Sequence, residues 1–212
     1  MSLTQPIDPD ELTALQRRFG PVPVQHEALS VSAPFLTENR QRLLKDGRRA
    51  EICYIMHRGE PDQGVLLHRK LFYPRAAFRL PTGGVEPGEA VWDTLLREIY
   101  EETGMAVVGS GLGPDVVAVE RFLGVVAYDF HHRQLNRHFS FATYHFLVRA
   151  PAQAEPDPID KTEEVDAWLW QPASHLATLT DTLAHLDAET PEWADWGRFR
   201  ALSHRFVAAR LG

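Results

Sequence analysis

The chain has 212 residues, 44% of them hydrophobic, and a formal net charge of −7. This length and composition predict one domain with a sizeable core, and the acidic balance argues against duplex nucleic acid as the main partner. No apolar run reaches the ~20 residues of a membrane helix, so no membrane partner is expected, and the N-terminus lacks the pattern of a signal peptide. Cys53 is the single cysteine, which excludes an intrachain disulfide and favours a cytoplasmic location.

Residues 1–47 predict an N-terminal extension packed on the core. Asp8 and Pro9 are typical of a helix start, with Glu11 closing a capping box, and Gly20 ends that helix. Residues 23–33 alternate as a strand does, and a short helix is predicted over 37–45.

Two apolar segments, 49–57 and 64–69, predict a β-hairpin at the start of the core. The segment 78–82 then leads to the glycine pair Gly83 and Gly84. Several basic side chains before the glycines are candidates for binding a substrate phosphate. They are Arg69, Lys70, Arg75 and Arg79.

A helix with clustered carboxylates follows the glycines. At ~3.6 residues per turn, Glu98, Glu101 and Glu102 project from one side of it within about a 100° arc. Like charges at this spacing repel, so the pattern favours a cation between them, and oxygen ligands suit Mg²⁺ or Mn²⁺. Arg97 can reach Glu101 four residues on and hold it in orientation.

The bounds of this helix are also predicted from the sequence. Gly88 is expected at the N-cap, with Glu89 in the first turn, where the helix dipole favours negative charge. Gly104 is expected to end the helix in a left-handed conformation. The opposite face is apolar and predicts packing on the core through Val91, Leu95 and Ile99.

Downstream of the helix, strands are predicted over 116–130, 139–148 and 165–170, with a Pro- and Asp-rich loop over 150–162. Three histidines, His131, His132 and His138, fall between the first two strands. This tract is interpreted as an exposed hairpin tip, and the alternative is that Arg133 or Arg137 reaches a substrate phosphate.

A helix is predicted to start at Pro172, and a terminal helix over 192–211. The terminal helix carries a broad aromatic stripe, which indicates packing on the domain. The alternatives are a dimer contact, and hence a homodimer, or a wall of the substrate pocket.

Residues 83–105 resemble the Nudix box, the signature of the Nudix (MutT-like) hydrolases. The pattern is Gly83, five residues, Glu89, seven residues, and then the segment Arg97-Glu98-Ile99-Tyr100-Glu101-Glu102-Thr103-Gly104-Met105. Every specified position matches, and a chance match is on the order of 10⁻⁸. The resemblance implies an α/β protein with the Nudix fold, an α/β/α sandwich with a mixed sheet, plus N- and C-terminal helical extensions. The hydrolase domain would span 48–190, and 191–212 would be a helix of the same domain.

The resemblance also implies a reaction: metal-dependent hydrolysis of a nucleoside diphosphate linked to another moiety, with water attacking phosphorus. The carbonyl of Gly83 and the carboxylates of Glu98, Glu101 and Glu102 would ligate Mg²⁺ or Mn²⁺. Glu98 or Glu102 would orient or deprotonate the water. Arg97 would orient the glutamates, and Glu89 would assist near the helix start.

Other questions stay open from the sequence. A further base outside the box has the candidates Glu120, Glu155, Glu163 and Glu164. A nucleotide-sensing domain without catalysis is an alternative function, although such domains usually carry damaged boxes. An isopentenyl-diphosphate isomerase is another, and it would require Cys53 as a catalytic thiol. No pattern identifies the particular nucleoside diphosphate derivative.

Overall fold

A mixed β-sheet forms the centre of the protein in a computed structural model. The structure describes residues 5–32, 35, 43–44, 47–113, 115–160, 162, 164–188 and 191–211. Most of the predicted helix over 37–45 lies outside the described residues, and 43–44 form a turn. In the described ranges no helix combines the length and apolar character needed to cross a lipid bilayer.

The described helices and strands follow the predicted order closely. The strands are β1 (Val24–Val31), β2 (Ala50–Arg58), β3 (Val65–Lys70), β4 (Thr82–Gly84), β5 (Ala106–Val107), β6 (Asp115–His132), β7 (Arg137–Ala150) and β8 (Val165–Gln171). The α-helices are α1 (Pro9–Phe19), α2 (Val91–Thr103), α3 (Leu176–Ala184) and α4 (Ala194–Leu211). A short 3₁₀ turn precedes each of α3 and α4.

Six strands lie side by side in the order β1-β6-β7-β2-β3-β8, β4 pairs with β2, and β5 with β6. The β1–β6, β2–β7 and β5–β6 pairs are parallel, whereas the β6–β7, β2–β3, β2–β4 and β3–β8 pairs are antiparallel. The predicted β2–β3 hairpin is present, but its strands pair only at His57 and Val65. Strand β3 pairs instead along its length with β8.

The alternation of side chains along β2 divides the core into two layers. Ile52 and Tyr54 join the cluster that contains residues of α1 and α2. Cys53 and Ile55 join the cluster that contains residues of α3 and α4. Because successive strand residues face opposite sides, one sheet thus carries helices on both faces. This confirms the predicted α/β/α sandwich.

The aromatic stripe of α4 is used inside the chain. Trp196, Phe199 and Phe206 are buried, and Phe199 packs edge-on against Phe130 and Tyr128 of β6. Burial of large aromatic side chains contributes strongly to core stability. The stripe therefore packs on the domain, and it offers no support for the dimer contact considered above.

Candidate active site

The glycine pair brings the chain against the carboxylate helix. Strand β4 lies beside β2, with Gly83 opposite Ile52 and Gly84 opposite Glu51. A β-carbon at Gly83 would collide with the carboxyl group of Glu98. Only glycine therefore allows this carboxylate to lie against the turn.

Helix α2 begins later than predicted. Its N-cap is Ala90, which makes no side-chain cap, and Gly88 lies in the preceding turn with φ +83°. Instead, the N–H of Val91 donates a hydrogen bond to the carboxylate of Glu11, a residue of α1, at 2.5 Å. Glu11 also pairs with Arg49 at 2.8 Å rather than closing a capping box. The N-terminal helix thus supplies the cap of the site helix, which no local pattern could reveal.

The end of α2 agrees with the prediction. Gly104 has φ +71° and ψ 3°, the left-handed conformation, and its N–H bonds to the carbonyl of Tyr100. Glycine adopts this conformation without the steric cost that other residues meet.

Arg97 organises the acidic side chains of the box. Its guanidinium lies 2.8 Å from Glu89, 2.9 Å from Glu98 and 2.9 Å from Glu101. It also donates to the carbonyl of Gly84 at 3.3 Å. The hydrogen bond with Glu89 is the largest influence, and together these partners raise the pKa of Arg97 despite partial burial. The predicted Arg97–Glu101 contact is present. Glu89 was expected in the first turn of α2 but precedes the helix, and it pairs with Arg97 from there.

Glu98 and Glu102 face the sheet. Their exposed fractions are 7% and 1%. The hydroxyl of Tyr54, on β2, donates to Glu102 at 2.5 Å. Burial, followed by the neighbouring charge of Glu102, raises the pKa of Tyr54 well above its usual value, so the phenol keeps its proton and remains a donor. Tyr54 is a site residue that the sequence reasoning missed.

These side chains fit a hard divalent cation by their chemistry. The Glu98 carboxylate lies against the backbone of Gly83, as the collision that a β-carbon would cause there shows, and Arg97 contacts both Glu98 and Glu101. Among the described residues no three His, Cys, Asp or Glu side chains converge in a metal-binding arrangement. The contacts of these side chains explain why they do not converge. Arg97 forms ion pairs with Glu98 and Glu101, whereas Tyr54 donates a hydrogen bond to Glu102.

A cavity of about 150 Å³ opens beside the glycine turn. It is lined by Thr82 and Gly84 together with a group of charged side chains, Arg48, Glu51, Lys70, Arg79 and Arg200. Of the side chains predicted to bind a phosphate, Arg79 and Lys70 line this cavity. Arg79 is buried and donates to Thr82 Oγ1 at 2.8 Å and to the hydroxyl of Tyr73 at 3.0 Å.

Glu51 and Arg200 in this cavity were not predicted. Both are buried, and Arg200 Nη1 lies 2.6 Å from Glu51 Oε1. Thr143 Oγ1 donates to the same carboxylate at 3.0 Å. A glutamate inside the apolar run of β2 was an available signal for Glu51, since charged residues are rarely buried without a partner.

The other predicted phosphate ligands do not line the cavity. Arg69 pairs with Asp166 and donates to the carbonyl of Arg75 at 2.8 Å. Arg137 is exposed next to the β6–β7 turn, and Arg133 donates to the carbonyl of Ser30 at 2.9 Å.

The candidates for a further catalytic base lie in different parts of the structure. Glu120 lies 2.9 Å from His57, and Glu155 lies 3.0 Å from Arg58. His57 is five residues beyond Ile52, the partner of Gly83, which corresponds to about 16 Å along β2. The carbonyl of Glu164 accepts the N–H of Leu71, directly after Lys70, and Glu163 lies outside the described residues.

The histidine tract lies at the end of the β6–β7 hairpin, but the turn itself is residues 133–136 and the three histidines lie on the strands that flank it. His131 and His138 pair across the strands with their rings 5.1 Å apart, whereas His132 is buried. His138 Nδ1 lies 2.8 Å from Asp129. The three imidazoles therefore do not converge on one point.

Cys53 lies in the core rather than in the site. It is fully buried in β2, and burial raises the pKa of its thiol to about 12. A protonated, inaccessible thiol is a poor nucleophile, which argues against the isomerase alternative.

Comparison with known families agrees with the site. The sequence profile of the NUDIX domain matches residues 47–194, well over half of the chain. The chain therefore belongs to the Nudix family, and it is a pyrophosphate-cleaving hydrolase.

Similar proteins include two RNA pyrophosphohydrolases. The protein from Mesorhizobium japonicum is 29% identical over 133 residues, covering 60% of this chain and 72% of its own length. The protein from Agrobacterium fabrum is 29% identical over 151 residues, covering 69% of this chain and 79% of its own length. The solved dihydroneopterin triphosphate pyrophosphohydrolase of E. coli is 21% identical, with a TM-score of 0.45 over 61% of this chain and 84% of that one. That structural likeness is too distant to bear on the substrate.

Proposed function

We propose that this Nudix enzyme uses Mg²⁺ or Mn²⁺ to hydrolyse the diphosphate linkage of a small nucleoside diphosphate derivative. The supporting observation is the contact network of the box, in which the Glu98 carboxylate lies against Gly83, Arg97 contacts Glu89, Glu98 and Glu101, and Tyr54 contacts Glu102. Four carboxylates outnumber the guanidinium groups of Arg97 and Arg79 beside them. A divalent cation would offset this excess of negative charge, which is costly on buried side chains.

The residues proposed to hold the cation are the Gly83 carbonyl and the carboxylates of Glu98, Glu101 and Glu102. When bound, the cation supplies charge neutralisation for the diphosphate. Glu98 or Glu102 then orients the attacking water and accepts its proton. Glu102 has a fixed orientation for this task because Tyr54 holds one of its oxygens at 2.5 Å.

Arg97 and Glu89 act through the other side chains. The Arg97 guanidinium contacts Glu89 with two nitrogens, at 2.8 and 2.9 Å, which fixes it between the turn and the helix. From there it positions Glu98 and Glu101. Glu89 also accepts the Thr94 hydroxyl at 2.7 Å and so connects the turn to the first turn of α2.

Two further assignments accompany this proposal. We propose that 48–190 form the hydrolase domain, with 1–47 as an extension packed on it and 191–212 as a helix of the same unit. A cytoplasmic location is proposed because the single cysteine, Cys53, is buried and the sequence offers no intrachain disulfide.

A substrate panel with metal depletion tests the function. Nucleoside triphosphates, nucleoside diphosphate sugars and dinucleoside polyphosphates would be incubated with the enzyme and Mg²⁺ or Mn²⁺, with release of phosphate or nucleotide measured. We expect turnover of at least one class, loss of turnover in EDTA and recovery when metal is restored. Full activity in EDTA would contradict the metal requirement, and no turnover of any class would contradict the function.

A further inference from the structure

The small cavity beside Gly84 is lined mainly by positively charged side chains. Its volume of about 150 Å³ is below the roughly 300–1,000 Å³ of sites that enclose a whole small molecule. A space of this size leaves room for one compact group. The cavity therefore fits a part of a substrate rather than a whole nucleotide.

The charge of the cavity indicates which group it fits. Arg48, Lys70, Arg79 and Arg200 line it together with one carboxylate, that of Glu51. Arg79 and Arg200 are buried and Arg48 and Lys70 are half-buried, and four cationic side chains around one small space favour an anion among them. Guanidinium and ammonium groups converging on one small space are typical of phosphate recognition.

Arg200 has a donor available for such an anion. Its side chain is buried, and its Nη1 is bonded to Glu51 at 2.6 Å. Among the described residues its Nε, also buried, has no hydrogen-bond partner. Buried guanidinium N–H groups are normally satisfied, so this donor is a second sign of a ligand.

Arg79 connects the cavity to the box. It donates to the carbonyl of Leu80 and to Oγ1 of Thr82, the residue immediately before Gly83. Burial opposes its charge, but Tyr73 and then the carboxylates of Glu102 and Glu51 raise the pKa of Arg79 overall. Arg79 thus lies within electrostatic reach of both a box carboxylate and the cavity carboxylate.

One wall of the cavity comes from outside the shared domain. Trp196 and Arg200 belong to α4, and residues 195–211 of that helix lie beyond the matched residues 47–194. Specificity residues are often supplied by such additions to a common fold.

We propose that this cavity binds a phosphate group of the substrate adjacent to the linkage that is cleaved, with Lys70 and Arg200 as specificity-determining residues. The proposal rests on the proposed function and narrows it. The substrate class is then a nucleotide that ends in a chain of phosphates rather than one joined to an uncharged sugar.

A binding measurement tests the cavity independently of catalysis. Tripolyphosphate would be titrated by calorimetry, without divalent cations, into the full chain and into two variants. Lys70→Gln keeps the Glu51–Arg200 pair, and Glu51→Gln with Arg200→Gln replaces the pair by neutral hydrogen-bonding groups. We expect each variant to weaken binding at least about tenfold. Arg205→Gln, an exposed site on α4, is the matched control and should bind as the wild type does. Unchanged affinity in both cavity variants would overturn the proposal.

A kinetic comparison distinguishes a substrate phosphate from free phosphate. For Lys70→Gln, the ratio of kcat/KM on a nucleoside triphosphate to kcat/KM on a nucleoside diphosphate sugar should fall at least about tenfold. Weaker tripolyphosphate binding with an unchanged ratio between these substrates would mean that the cavity takes free phosphate only, and would refute the substrate assignment. If the wild type turns over neither substrate, the proposed function fails, while the calorimetric result still decides whether the cavity binds phosphate.

Discussion

Tyr54 shows how a single hydroxyl prepares the box for its chemistry. It lies on the face of β2 that looks toward α2, and it donates to Glu102 at 2.5 Å from a fully buried ring. This hydrogen bond restricts the rotation of the Glu102 carboxylate about its last torsion. Tyr54 is therefore a positioning residue, which acts through Glu102.

Replacing Tyr54 with Phe tests this role. Since a hydrogen bond to a charged group contributes about 1.5–3 kcal/mol, kcat should fall roughly tenfold or more, while KM stays within about twofold. Steady-state kinetics on the substrate found in the panel measures both. Tyr144→Phe is the matched control, because Tyr144 is buried in the same core layer, and its kcat should be unchanged. A change in KM alone would argue against positioning of Glu102.

Helix α4 links the core to the segment that leads into the glycine turn. His204 Nδ1–H donates to the carbonyl of Arg200 at 2.7 Å, and its Nε2 accepts the N–H of Leu80 at 3.0 Å. These two bonds require the neutral imidazole. A second contact joins His145 of β7 to the Ser203 hydroxyl at 2.7 Å. Both imidazoles lie in the contact between α4 and the sheet.

This contact should be sensitive to acid. Burial is the main influence that lowers the pKa of His145 and of His204 to about 3. Between pH 3 and the unfolded value of about 6.5, the unfolded chain binds the protons and the folded chain does not. The stability contributed by the neutral imidazoles is therefore complete above about pH 6.5 and is lost as the pH falls. At pH 5 the loss is about 2 kcal/mol for each histidine.

Urea unfolding of wild type and His145→Gln at pH 7 and pH 5 measures this effect. The glutamine amide replaces Nε2 opposite Ser203 without taking up a proton, so the variant should lose about 2 kcal/mol less than the wild type on acidification. His26→Gln, at an exposed position, serves as the control and should leave the pH dependence as it is. If the stability of His145→Gln depended on pH as that of the wild type does, the buried His145 imidazole would not be a source of the acid sensitivity.

For the whole molecule, the sequence predicted what depends on local spacing. The carboxylate side of α2, the Arg97–Glu101 contact and the left-handed Gly104 all follow from residues within one helix. The layers of the sandwich were implied by the resemblance to the Nudix box instead, because β2 is apolar along most of its length and its pattern assigns no face. The helix start was misplaced because its cap, Glu11, comes from 80 residues earlier in the chain.

The parts that escaped prediction depend on contacts between distant segments. Tyr54 and Glu102 are 48 positions apart, and Glu51 and Arg200 are 149 apart. Tyr54 and Arg200 are unremarkable among their neighbours in sequence, whereas Glu102 belongs to the box and Glu51 is a charge within the apolar run of β2. Only the pairing of β2 with β4 and the docking of α4 bring them to the glycine turn, and periodicity carries no information about such pairings.

The most direct test of the metal-dependent site is the turnover of Glu98→Gln and Glu102→Gln. Each substitution keeps the shape of the side chain and removes one negative charge from the proposed cation site. We predict that kcat falls at least about 100-fold in both, with the circular dichroism spectrum preserved. Glu86→Gln, an exposed position in the same turn, should retain wild-type turnover. Near-normal turnover of both box variants with Mg²⁺ and a working substrate would contradict the proposed site.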